Sequence, residues 1–217
     1  MKSRLLATLL AACAALCVSS AVRADVLAHW TFEVTVPTTA GPHAAEAGDV
    51  GGQATGFHTS TATVYSNPVG NGSLESFSSN NWSTGDYYQF QTSTLGYHSI
   101  AVQWDQTRSS TGPGTFDLQW SDDGVNFLTL LDDYNIDAIS WSSLTYNPLS
   151  TYGPIELPAA ANNKANVYIR MTSQVTSASA GTNRIDDVII TGVIPEPTSL
   201  ALLALGGVLL RRRRESR

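Results

Sequence analysis

The residues able to do chemistry in this 217-residue chain are mostly carboxylates, and several come in adjacent pairs: Asp122-Asp123, Asp132-Asp133 and Asp186-Asp187. Two carboxyl groups about 5 to 9 Å apart are the acid and the nucleophile or base of a glycosidase. Neighbours on a strand point to opposite faces, however, which argues against that use of any single pair. The four histidines, at 29, 43, 58 and 98, are scattered without ligand spacing, whereas zinc sites draw on closer or cysteine-assisted sets. There is no Gly-x-Ser-x-Gly elbow, no Walker loop and no Gly-x-Gly-x-x-Gly, and Gly112-Pro113-Gly114 reads as a turn. Aromatic rings are the other resource. Trp82 and Trp141 fall in turn-rich stretches of poor periodicity and are the candidates for stacking on a ligand ring, while Trp30, Trp104 and Trp120 fall on apolar faces and read as core.

Between residues 25 and 193 the basic residues are Arg108, Lys164, Arg170 and Arg184, against sixteen Asp and Glu, a balance of −12. Such a body has no cationic face from which to displace counterions, so nucleic-acid binding is excluded as its function. Both cysteines, Cys13 and Cys17, precede it, so no disulfide staples it. About 170 residues suffice for one domain with a core of its own.

The elements that must position these groups are strands. The body is rich in Ser, Thr, Val, Ile and aromatics and has no helical period. Val26 to Val34 alternates, with Ala28, Trp30, Phe32 and Val34 on one face and Leu27, His29, Thr31 and Glu33 on the other. Pro37 to Gly56 has no period, and Thr59 to Tyr65 reads as a strand. Tyr88-Phe90-Thr92, Ile100-Val102-Trp104 and Phe116-Leu118-Trp120 form three apolar faces, most simply three adjacent antiparallel strands. Ser121-Asp122-Asp123-Gly124 gives a hairpin turn with Phe127 returning toward the core. Ile155 to Pro158 suits an edge, Val167 to Met171 alternates, and Arg184 to Gly192 closes the body beside the first strand. The fold class expected is all-β: about nine strands in a jelly-roll-like antiparallel β-sandwich, flanked by an N-terminal signal helix and a short C-terminal transmembrane helix.

Both ends of the chain read as addresses. Lys2 and Arg4, the apolar run Leu5 to Val18 and the small-x-small Val22-Arg23-Ala24 make residues 1–24 a secretory signal peptide. Leu10-Ala11-Ala12-Cys13 also fits a lipoprotein box. At the other end, Pro195 and Pro197 hold Glu196 in an extended arm, Ser199 to Leu210 is apolar, and Arg211, Arg212, Arg213 and Arg214 follow. Twelve residues reach only about 20 Å as a helix, against roughly 30 Å of hydrocarbon, but snorkelling arginines lengthen the span and mark the cytoplasmic side.

Pro-Glu-Pro, a short apolar helix and an Arg cluster together resemble a PEP-CTERM sorting domain of Gram-negative bacteria over residues 194–217. The resemblance implies export by the general secretion machinery, transient residence in the inner membrane, cleavage near Pro195-Glu196-Pro197 by an exosortase, and delivery to an exopolysaccharide-rich envelope or matrix. A plain single-pass tail anchor is the alternative.

The body, residues 25–193, is similar to galactose-binding-like and jelly-roll carbohydrate-binding modules at the Ser-x-Asp-Gly turn and at Ile185-Asp186-Asp187-Val188. That resemblance implies a non-catalytic binding or structural passenger, exopolysaccharide as a partner, and no required cofactor. It also implies a structural calcium held by an acid of the first strand and one of the last, here Glu33 with Asp186 or Asp187; the competing reading pairs one Asp with Arg184 or Arg170. A secreted hydrolase acting on polysaccharide is the other function class.

Overall fold

Alternation of apolar and polar residues over short runs leaves each strand one face to bury, and two sheets packed face to face satisfy that requirement. The computed structural model describes residues 24–195. Among them twelve strands form: β1 (Asp25–Trp30), β2 (His43–Ala44), β3 (Gly52–Phe57), β4 (Tyr65–Ser66), β5 (Phe77–Ser79), β6 (Tyr87–Thr92), β7 (His98–Arg108), β8 (Thr115–Ser121), β9 (Leu128–Asn135), β10 (Thr151–Glu156), β11 (Val167–Ser173) and β12 (Asn183–Val193). The first sheet runs β10-β7-β12-β5-β4, with β1 also on β12, and the second runs β2-β3-β6-β11-β8-β9. All pairs are antiparallel. The protein is thus an all-β sandwich. The signal segment and the tail from Glu196 onward, including Pro197 and Arg211 to Arg214, lie outside the described residues, and Pro195 is the last of these. Among the described residues no helix is long and apolar enough to cross a membrane.

The alternating runs behave as read. Tyr88 and Phe90 of β6, Phe116, Leu118 and Trp120 of β8, and Val167, Ile169 and Met171 of β11 enter the core, where they meet Trp30, Phe77, Val102, Trp104, Ile185, Val188 and Ile190 of the other sheet. The two ends of the body pair, Asp25 opposite Gly192 and Trp30 opposite Val188.

Four expectations are corrected. β6, β7 and β8 are not neighbours: β6 and β8 flank β11, and β7 lies in the other sheet, because the turn at Leu95-Gly96 and the loop at 109–114 carry the chain across the sandwich. β1 ends at Trp30, where Phe32 takes a positive φ of 58° and the Glu46 carboxylate gathers the amides of Glu33, Val34 and Thr35. A register break between Val26 and Ala28 buries both Leu27 and Ala28, so Leu27 does not face outward. The strand expected at Thr59 to Tyr65 is irregular up to Val64, with only Tyr65 in a strand, the start of β4, and the segment without period holds β3. A Cβ at Gly52 would stand 2.4 Å from the Gln91 carbonyl oxygen and 2.7 Å from Trp30 Cζ2, and one at Gly56 would stand 2.7 Å from the Tyr65 ring. The small residues that hide this strand from a pattern search are what let two aromatic rings close over it.

Candidate functional site

Outward residues of the second sheet fall into three rows across β3, β6, β11 and β8. Register places Gln53, Gln91, Tyr168 and Ser121 in one row, Thr55, Gln89, Arg170 and Gln119 in the next, and Phe57, Tyr87, Thr172 and Asp117 in the third. Four strands at about 4.8 Å spacing make a platform about 14 Å wide. Phe57, 47% exposed, stacks on Tyr87 with ring centroids 5.1 Å apart and planes at 18°. The Arg170 guanidinium lies 3.9 Å from the Tyr87 centroid and 3.7 Å from that of Phe127, which comes over the platform instead of returning to the core. The result is one continuous strip, Phe57, Tyr87, Arg170 and Phe127, tied together by stacking and cation–π attraction.

Amides and hydroxyls fix the rest of the platform. Arg170 Nε donates to Gln89 Oε1 at 2.8 Å, Thr172 Oγ1 to Gln119 Oε1 at 2.9 Å and Gln91 Nε2 to Asn166 Oδ1 at 2.8 Å. Beside Gln53, Gln91 and Asn166 the surface dips into a cavity of about 360 Å³. The hairpin that delivers Phe127 is rigid: Asp123 Oδ1 accepts from the amides of Asn126 and Val125, at 2.8 Å each, and these bonds hold its pKa well below the ordinary carboxylate value.

No protein-family model and no curated protein matches the chain. Solved structures resemble it at low identity. The CBM22-1 and GH10 modules of the Clostridium thermocellum N-terminal endo-1,4-beta-D-xylanase 10B, complexed with xylohexaose, match at 16% identity and a TM-score of 0.49, over 78% of this chain and 29% of that one. The present chain therefore spans under a third of that protein's length. The K3 cleaved adhesin domain of Lys-gingipain from Porphyromonas gingivalis W83 matches at 15% identity and a TM-score of 0.46, over 78% and 99%. TmCBM61 in complex with beta-1,4-galactotriose matches at 12% identity and a TM-score of 0.42, over 74% and 92%.

The residues singled out from sequence are dispersed. Trp82 is not available for stacking: it is 1% exposed, its Nε1 donates to the Ser79 carbonyl at 3.0 Å, and His58, Tyr88 and Phe116 enclose it. Trp141 is 7% exposed, donates to Ser150 Oγ at 2.9 Å and forms part of a cavity wall. Glu33, beyond the end of β1, accepts the Glu75 amide at 2.7 Å, Asp187 meets His29 Nε2 at 2.9 Å, and Asp186 accepts from Ser73 Oγ at 2.6 Å and the Asn71 amide at 3.0 Å. Neither Asp pairs with Arg184 or Arg170; the ion pairs among the described residues are His29–Asp187, His58–Asp86 and Lys164–Asp122. Asp186 is fully buried, and burial, against the pull of the Ser73 bond, pushes its pKa up to about 7. Asp105, linked to it through Asn71, is raised to about 6, again by burial.

Two arrangements escaped the sequence reading. Asp117, Asp132 and Asp133 bring carboxylate oxygens within 4.8 Å of one another, because the β8–β9 register breaks there and Asp133 takes a φ of 49°. Adjacent acids diverge on a regular strand, and this strand is not regular. His58 lies 2.9 Å from Ser79 Oγ and 3.1 Å from Asp86 Oδ2, distances proper to a nucleophile, base and orienting acid. Ser79 is nevertheless 0% exposed and shared with the Tyr88 hydroxyl at 3.1 Å, and none of the three residues lines the cavities at Gln91 or Trp141. A substrate carbonyl has no approach to that oxygen, so the trio joins the two sheets as a buried polar link.

Proposed function

We propose that the chain is an exported envelope or matrix protein, carried by its signal peptide and by the PEP-CTERM-like tail that an exosortase processes, whose sandwich is a non-catalytic module binding polysaccharide on the outward face of its second sheet. The observation that carries the binding part is the strip of Phe57, Tyr87, Arg170 and Phe127 set among glutamine side chains. Flat apolar rings take the C–H faces of a sugar, and laterally fixed amides meet its hydroxyls without further ordering cost. With a single cation on the platform and an acidic body around it, the fitting polymer is neutral or sparsely charged. A calcium ion at Asp186 and Asp187 belongs to the same proposal. A fully buried carboxylate with no cationic partner among the described residues suits a hard divalent ion, which would have to displace the Ser73, Asn71 and Asp187 donors at Asp186 just as it would the Glu75 amide at Glu33.

Binding is tested by affinity electrophoresis of the mature protein through gels containing the host's exopolysaccharide. The wild type is expected to be retarded, and Phe57→Ala, which removes a half-exposed ring, to lose about three- to tenfold in affinity at unchanged melting temperature. Equal mobility of wild type and variant in every polysaccharide gel overturns the platform. Sorting is tested by mass spectrometry of the C-terminus. An end near Pro195 to Thr198 in the native host, and an intact Arg217 in a host lacking its exosortase, is the expected pair of results; Arg217 in both removes processing from the proposal.

A further inference from the structure

Cations are scarce between residues 25 and 193, yet two of the three arginines there line one half-enclosed cavity of about 380 Å³, and no acidic residue lines it. Arg108 enters from the end of β7 and Arg184 from β12. Ser109, Ser110, Ala138, Ile139, Ser140 and Trp141 complete the wall. The cavity lies against the first sheet, away from the platform of the second. Its volume falls within the roughly 300–1,000 Å³ of small-ligand sites.

The guanidinium groups are short of acceptors. Arg184 Nε is buried without a hydrogen-bond partner, and the side chain donates only through one terminal nitrogen, to the Val69 carbonyl at 3.2 Å. Arg108 donates to the carbonyls of Ile136, Ser109 and Ser110. Neither has a carboxylate within ion-pair distance among the described residues. An arginine carries five N–H donors and no acceptor, so both retain capacity for an anion through their terminal nitrogens, the buried Nε of Arg184 lying out of a ligand's reach. The roof is fixed in place: the single Thr107 hydroxyl proton is shared between the carbonyls of Ile139, at 2.7 Å, and Asp137, at 3.1 Å, its oxygen accepts the Ile139 amide, and Trp141 is held by Ser150. The Arg184 guanidinium stands 6.0 Å from the Trp141 ring centroid, so cation and aromatic wall face the same space.

We propose that this cavity binds a carboxylate carried on a sugar ring, a uronic-acid residue, with Arg184 and Arg108 meeting the carboxylate and Trp141 lying against the ring. Planar guanidinium groups match a carboxylate in two-point hydrogen bonds. Serine hydroxyls serve as donors or acceptors to ring hydroxyls. The surrounding acids do not abolish this local preference, because exposed charges beyond about 8–10 Å are screened at physiological salt. The inference stands apart from the platform reading and fails or survives separately from it.

The test is calorimetric titration of the mature protein with glucuronate, methyl glucoside and inorganic sulfate at physiological ionic strength. Glucuronate is expected to bind about tenfold or more tightly than either of the others, the worth of one charge-assisted hydrogen bond that the neutral sugar lacks and of the ring contact that sulfate lacks. Ser140→Asp places a negative charge at an exposed lining position and is expected to lose about tenfold with an unchanged melting temperature, as is Arg184→Gln where it folds. Phe57→Ala is expected to leave glucuronate binding intact. Equal binding of methyl glucoside, equal binding of sulfate, no heat with any probe, or indifference to Ser140→Asp each overturns the proposal.

Discussion

In the presence of a chelator the protein is expected to melt lower at pH 8 than at pH 5.5, by roughly 6–12 °C from its two buried acids less the opposing share of His58, the opposite of the usual weakening of acidic proteins in acid. Asp186 and Asp105 carry folded-state pKa values of about 7 and about 6, both raised by burial, against roughly 3.9 in the unfolded chain. A raised carboxyl pKa means that the native state binds the proton more tightly. Its contribution to stability is complete below the unfolded value and disappears as pH rises through the folded one, here between about pH 4 and 8. Over the interval from 5.5 to 8 the two groups together amount to about 3 kcal/mol. The groups facing them are Asp187 with its partner His29, together with Asn71, Ser73 and Thr151. His58 acts in the other direction: burial lowers its pKa, so its share is complete above about pH 6.5 and lost as pH falls below that. Asp186→Asn, which mimics the protonated acid, is therefore expected to flatten the descent toward pH 8. Millimolar calcium is expected to do the same for the wild type by meeting the charge directly. Melting curves at the two pH values, with chelator and with calcium, decide both points; a wild type equally stable at pH 5.5 and 8 in chelator removes the buried-acid account, and one that calcium leaves unmoved at pH 8 removes the ion.

The second large effect concerns Trp30. Its side chain is fully buried, its ring meets Phe90 edge-on at 5.1 Å, its Nε1 donates to the His43 carbonyl at 3.2 Å, and its outer edge lies over Gly52. Trp30→Ala is expected to cost about 3–5 kcal/mol, the sum of lost apolar transfer and a cavity that the close strands cannot collapse. With a urea slope of about 2 kcal/mol/M, the unfolding midpoint drops by about 2 M. A loss below about 1 kcal/mol would mean that β3 closes over the void and that the ring is not the keystone between the sheets.

How much of this was readable beforehand depends on whether the relevant signal is periodic. Strands β6 and β11 bury every second side chain, β8 and β12 do so except where Asp117, Ser121 and Asp186 are buried as well, and their apolar alternation is plain in the sequence. Strand β3 is invisible because Gly52 and Gly56 must lack a side chain where Trp30 and Tyr65 cross it, so its composition is that of a loop. Phe127 follows a legible hairpin but ends on the outside, since it finds Arg170, a partner from a strand forty residues later. The stacking role foreseen for Trp82 fails because poor periodicity marks irregular backbone, which here is buried as deeply as a strand. The cavity at Arg184 draws on segments whose meeting is set by β7–β12 pairing, and the only trace of it in the sequence is that so few cations exist to be placed. The acidic pairs Asp132-Asp133 and Asp186-Asp187 both sit at breaks in register, where the rule of opposite faces no longer holds.

Strand β12 is bordered along one edge by β7 and along the other by β5 and then β1. It is an inner strand of its sheet and also the last strand of the body. Were the chain exported as proposed, with its amino end leading, β1, β5 and β7 would cross first, and none of them would have its main partner until Val193 had followed. Most of the first sheet's ladder, the part that lies on β12, would then be deferred to the final moments of such a passage, leaving the preceding chain pliable and making completion of the fold a report that the whole body has arrived.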